Sequence, residues 1–339
     1  MIELVGYGRP AREAVARAIS AAKRGDPLAP VTVIVPTNYA GLGLRRALAA
    51  TTPLVNVRFQ VAGRAAELLG GAALAAEGLK PLVPWLRMEA IRAALREDPG
   101  IFAAVASHPA TARQLARAFD DLREATGPIL ESLAAMGPRP ADVVRLFRRA
   151  RQLTAGYYDE TTLVEAAGRA VREGHPAARE AGALILYLPR RISGAMAGLL
   201  EAAAAGPGAA AIIGLTGDPQ VDALARESSS RLRGLGPTRE AMQVSLPVAD
   251  SVASLPDPEE EVRHAVRRAI ALARNGTPLH RMAILYRLPA QYALLAHEVL
   301  TSAGIPHNGP PVRGLDRTLA GRTVPGANRV AASGFRREG

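Results

Sequence analysis

Short apolar runs alternate with helically spaced segments through the first seventy residues. Residues 2–5 form one such run; Pro10 suits the first turn of a helix, and residues 11–23 continue with helical spacing. The β-branched run at 31–35 (VTVIV) has the character of a buried parallel strand. It stops at Pro36, where Thr37 or Asn38 can cap a helix over 39–50. A third strand is predicted at 55–60 and a third helix at 62–69. This alternation predicts an α/β fold, a parallel sheet with helices on both faces.

The pattern changes at 71–180. Helical periodicity runs through 85–96, 110–125, 141–155 and 161–173, with Pro and Gly clusters between and no strand-like run. This reads as a helical insertion. Strands return at 183–188 (ALILYL) and 210–215 (AAIIGL) around a helix at 192–205, with a further candidate at 242–246. A second unit begins near Ser251. Asp257-Pro258-Glu259-Glu260 is a capped helix start, the helix runs to Asn275, and Gly276 ends it. A strand at 282–286, a helix at 291–303 and a turn at Gly304-Ile305-Pro306 leading into another strand are expected next. Beyond Arg322 the periodicity fades, and a disordered tail is expected over 323–339. The organisation read from the sequence is therefore 1–70 and 181–250 as one sheet domain, 71–180 as its insertion, and 251–322 as part of a second.

Composition narrows the chemistry. No cysteine occurs among the 339 residues, which excludes disulfides, cysteine-held metals and thiol nucleophiles. Glu3 stands where a secretory leader would be basic. The uncharged stretch 202–217 is interrupted by Gly206, Pro207 and Gly208, so a cytoplasmic chain without a membrane span is expected. The net charge is +11, and only Lys23 and Lys80 of the 42 basic residues are lysines. A basic surplus suits a polyanionic partner, while the arginine-for-lysine bias also fits a GC-rich genome. The surplus sits in residues 1–70 and 251–339; the middle is balanced.

Several chemistries lack their residues. A phosphate loop needs a Gly-Lys-Ser/Thr triplet, which is absent, and Pro10 removes an amide from the turn Gly6-Tyr7-Gly8-Arg9. The strand ALILYL runs into Pro189-Arg190-Arg191 rather than into the carboxylates that would face magnesium. Ala11 stands where a dinucleotide fingerprint needs its third glycine. The histidines show no metal-ligand spacing, and Glu259-Glu260-Glu261 suits a first helical turn better than a metal. Neither lysine has a carboxylate two residues before it, as a PD-(D/E)XK nuclease requires. No catalytic residue, cofactor or metal is expected. Thr37, Asn38 and Tyr39 with Arg45 and Arg46 could instead receive phosphates at a helix start, although capping alone also explains the first two.

Residues 281–309 resemble a segment of UvrD-like helicases in Ile284-Leu285-Tyr286-Arg287, Gln291 and Gly304-Ile305-Pro306. Pro36-Thr37-Asn38 with Arg45-Arg46 is similar to that family's single-strand-contacting motif, and Gly217-Asp218-Pro219-Gln220 to its Gly-Asp-Pro-Gln element, with Val221 in place of the second Gln. Over about 1–322 the layout resembles the helicase-like half of AddB-type subunits, RecB-family exonucleases with a C-terminal PD-(D/E)XK nuclease. The resemblance implies a RecA-like sheet domain, a partial second one, DNA as partner, and a motor helicase or nuclease subunit beside it. It implies DNA contacts at Thr37, Asn38, Tyr39, Arg45, Arg46 and Arg287, and a degenerate nucleotide site at Gly6, Gly8, Arg9, Arg12 and Gln220. ATPase and nuclease activity do not carry over, since their motifs are missing. A truncated family member acting as a non-hydrolysing DNA-binding scaffold is expected. The alternatives are an α/β protein holding a nucleotide or phosphometabolite, and a protein–protein adaptor.

Overall fold

The computed structural model describes residues 1–240, 244 and 249–309. The chain divides into two compact units, Met1–Val248 and Ala249–Gly339.

The first unit is built on β1 (Ile2–Gly6), β2 (Val31–Val35), β3 (Val57–Val61), β6 (Ala183–Tyr187), β7 (Ala209–Leu215) and β8 (Thr238–Glu240). They form one sheet in the order β3-β2-β6-β7-β1-β8, and every pairing is parallel. In β2 all five side chains are buried, which is why that strand reads as an unbroken β-branched run rather than an alternation. Val31, Val33 and Val35 join α1 (Arg9–Ala22) and α2 (Asn38–Ala49) on one face. Ile34, Leu184, Leu186 and Ile213 face α3 (Ala62–Ala76), α8 (Glu160–Arg172) and α10 (Gly194–Ala204) on the other. Each fully buried Ile or Leu in these layers contributes roughly 1.5–3 kcal/mol. Glu3 is buried in β1 and paired with Arg17 Nη2 at 2.6 Å, so its charge is compensated. Helix α3 lies so close to α8 that a Cβ on Gly70 would come within 2.5 Å of the Ala167 amide nitrogen.

Between α3 and α8 lie α4 (Pro84–Glu97), α5 (Pro109–Leu122), α6 (Gly127–Ala134) and α7 (Pro138–Leu153). They bury a core of their own around Ile91, Leu95, Leu115, Val144 and an edge-on Phe119–Phe147 pair at 5.4 Å. The sequence predicts no strand in this region, and the structure corrects that. β4 (Lys80–Pro81) and β5 (Tyr157–Tyr158) pair in parallel where the chain leaves for the helices and returns from them. Two residues are too few to leave a periodic signal. Helices α6, α9 (Pro176–Ala181) and α11 (Pro219–Ser230), and strand β8, are likewise additions to the sequence reading. His108 and His175 prove to be helix caps, each accepting through Nδ1 from the amide two residues on, at 3.2 Å. No helix among the described residues is long and apolar enough to cross a membrane.

In the second unit, α12 (Pro258–Arg274) is capped by Asp257, whose carboxylate accepts from the Glu260 amide at 2.9 Å. Its Val262 and Val266 pack with Ala296 of α13 (Pro289–Ser302). The strand expected at 282–286 has no ladder partner among the described residues. Ile284 and Tyr286 turn onto the helices while Leu285 is 91% exposed, so among the described residues one-sided packing accounts for the alternation. Residues 305–309, after the Gly304 turn, form no strand either. Apart from Val244, the predicted strand at 242–246 lies outside the described residues, as do residues 310–322 of the second domain and the tail expected at 323–339.

Candidate functional site

The connection from β1 to α1 is two residues long, Tyr7 and Gly8, and Gly8 holds φ at +83°. So short a turn lacks the residues with which a Walker-type loop wraps a phosphate. The half-exposed Tyr7 ring lies against Gly214 of β7, where any Cβ would run into it, and so covers part of the notch between the ends of β1 and β7. A Cβ on Gly6 would meet Val244 at 3.4 Å. Arg9 pairs with Glu13 at 2.7 Å in solvent, and Arg12 is exposed.

Across the notch, the turn after β7 is organised by two carboxylates. Asp218 caps α11, accepting from the Gln220 and Val221 amides at 2.8 and 3.1 Å. Asp222 is buried and accepts from the Thr216 amide (2.7 Å), the Thr216 hydroxyl (2.9 Å) and the Gly217 amide (2.9 Å). Burial pushes the Asp222 carboxyl up, but the Thr216 and Gly217 donors and the Arg226 charge outweigh it and hold the group below its ordinary value. The backbone of the Gly-Asp-Pro-Gln element is thus engaged in forming the turn, and Gln220 is exposed at its rim.

At the end of β2, Thr37 Oγ1 accepts from the Ala40 amide at 3.1 Å and caps α2. Asn38 and Tyr39 begin the helix, both exposed, Tyr39 by 88%. Arg45 and Arg46 stand two turns further on, about 12 Å along an axis that rises about 1.5 Å per residue. Neither has an acidic partner among the described residues, nor does exposed Arg58 of the adjoining β3. Arg287, exposed, belongs to the other unit.

The sequence reading missed the turn after β6 as a site. Leu188 there holds φ at +45°, unusual for a side chain with a Cβ and doubly so before proline. Such a conformation costs on the order of 1–3 kcal/mol and persists only where the surroundings enforce it. Pro189, Arg190 and Arg191 follow, and line a cleft of about 760 Å³ over the carboxyl ends of β2, β3 and β6. Arg190 has no ion pair among the described residues; Arg191 lies 3.7 Å from Asp121. Arg123, also lining the cleft, is held by Asp120 at 3.1 Å and Asp159 at 3.5 Å. The only sequence signal was the Arg-Arg pair directly after a buried strand. Among the described residues no cluster of three or more metal-ligating side chains occurs. No protein-family model matches the chain, and no curated protein matches it significantly.

Proposed function

We propose that the chain binds single-stranded DNA without hydrolysing nucleotide, as a RecA-like, helicase-like scaffold in a machine that processes DNA ends. A parallel sheet interrupted by a helical insertion supports this reading, and so does a β1–α1 turn too short for a Walker-type loop and partly covered by Tyr7. The observation that carries it is the exposed face of α2. An 88% exposed tyrosine sits at the helix start, where amides and dipole favour phosphate, and two arginines without acidic partners among the described residues lie further along. Tyr39 offers a stacking surface to one base, and the arginines position the backbone without reading sequence.

Each phosphate neutralised on a single strand contributes about −0.7 to the slope of log K against log salt, so four or five engaged arginines give a slope of about −3. Fluorescence anisotropy on a labelled oligonucleotide across a salt series measures it. Arg45→Ala/Arg46→Ala should make the slope shallower by about 1 to 1.5. An unchanged slope would return α2 to a merely capped helix. A DNA-stimulated ATPase rate that follows the protein through purification would overturn the non-hydrolysing half of the reading.

A further inference from the structure

In a parallel sheet, neighbouring strands whose following helices leave for opposite faces open a crevice at their carboxyl ends. This sheet has such places on both sides of its middle. At β1 and β7 the chain departs into α1 and α11, and Tyr7 lies in the opening. At β2 it departs into α2 on one face, while β3 and β6 on either side lead to α3 and α10 on the other. Among the described residues no side chain plugs this crevice, and the cleft of about 760 Å³ lies over it.

Its lining is chemically two-sided. The β6–α10 turn, fixed by left-handed Leu188, contributes Arg190 and Arg191. The start of α8 contributes Glu160, which has no basic partner among the described residues, whereas neighbouring Asp159 is engaged by the Thr162 amide and Arg123. Tyr158 and Pro36 add ring and apolar surface to the lining. Guanidinium pairs suit the oxygens of a phosphate, and a carboxylate accepts from an exocyclic amine but repels a carbonyl oxygen.

We propose that this cleft is a nucleotide site in its own right, holding the phosphate of a nucleoside monophosphate on Arg190 and Arg191 and an amino-bearing base at Glu160. It is separate from the degenerate β1 turn and from the arginines of α2, and it stands whether or not α2 carries DNA. The same chemistry reaches the cleft as a free nucleotide or as one unit of a single strand.

Calorimetric titration of the full chain at low salt with CMP, UMP and inorganic phosphate tests it. CMP should bind at least fivefold more tightly than UMP, and phosphate alone more weakly than either. Arg190→Ala/Arg191→Ala should weaken CMP at least tenfold, while Arg45→Ala/Arg46→Ala should leave it unchanged. Glu160→Gln should remove the preference for CMP over UMP. If the arginine pair variant also loses affinity for a short oligo-dC, the occupant comes from a strand; if only CMP binding falls, it is the free nucleotide. Circular dichroism confirms that the variants are folded, and Arg190→Lys/Arg191→Lys, which keeps the charge, should retain part of the binding. No saturation with CMP at millimolar concentration, or CMP binding to a folded Arg190→Ala/Arg191→Ala variant at the parent affinity, would overturn the proposal.

Discussion

Gly182→Ala is expected to destabilise the first unit by at least about 4 kcal/mol, because among the glycines of the described residues its added Cβ would make the shortest approach, onto a backbone oxygen. Gly182 joins α9 to β6 with φ at +66°, which alone disfavours a Cβ by about 1 kcal/mol. The greater part comes from packing. The added Cβ would fall on the carbonyl oxygen of Pro30, and that oxygen is already the acceptor for the Ala183 amide at 3.2 Å. Relief requires β2 and β6 to separate at the point where their ladder begins, in the centre of the sheet. Urea unfolding followed by circular dichroism should show either no cooperative transition or a midpoint reduced to match. A loss below about 1 kcal/mol would mean that the two strands can part there without consequence.

The second large effect is expected at Asp222, where alanine should cost about 3 kcal/mol. Three donors on half-buried Thr216 and Gly217 would lose their buried acceptor, at roughly 1–3 kcal/mol for each one that water cannot reach. At about 2–4 °C per kcal/mol for a unit of this size, the melting temperature should fall by roughly 6–12 °C. The effect carries a pH signature. The folded carboxyl titrates below its ordinary value, so the unfolded state binds the proton more readily. Stability from this group is therefore complete above the unfolded value near 4 and is lost as the pH falls through the folded one. Melting curves of Asp222→Asn and the parent should differ most near neutrality and converge in acid. A constant offset at every pH would assign the loss to packing alone.

Neither position stands out in the sequence, and the contrast with what does is instructive. The buried strands at 31–35 and 183–187 are legible because burial on both faces leaves an unbroken apolar run. Asp257 with Pro258 marks a helix start because capping is a local matter of three or four residues. Thr37 was legible as a cap for the same reason. Asp222 looks like an ordinary acidic residue in a helical first turn, and only the fold of the preceding loop makes it the hub of that turn. Tyr7 and Gly214 lie more than two hundred positions apart, so their contact follows from the adjacency of β1 and β7. The cleft is a property of strand order, since the ends of β2, β3 and β6 meet only once the sheet is assembled. Segment 282–286 shows the opposite case: one-sided packing gives the alternation of a strand while no neighbour among the described residues bonds with it.

The pairing of Lys80 with Tyr157 and of Pro81 with Tyr158 has a consequence for the history of the chain. Paired strands run about 4.8 Å apart, so the backbone that departs toward α4 and the backbone that comes back from α7 are side by side. Everything between is a closed excursion with its own apolar interior. A turn of a few residues would bridge the same gap, so the length of the excursion can change between fixed ends, at the expense of the Glu124 contacts to the Gly194 amide and Arg231 and of the Arg191–Asp121 pair. The helical block has the geometry of a graft whose two ends are pinned together, and which is tied to the sheet domain further along through Glu124 and Asp121.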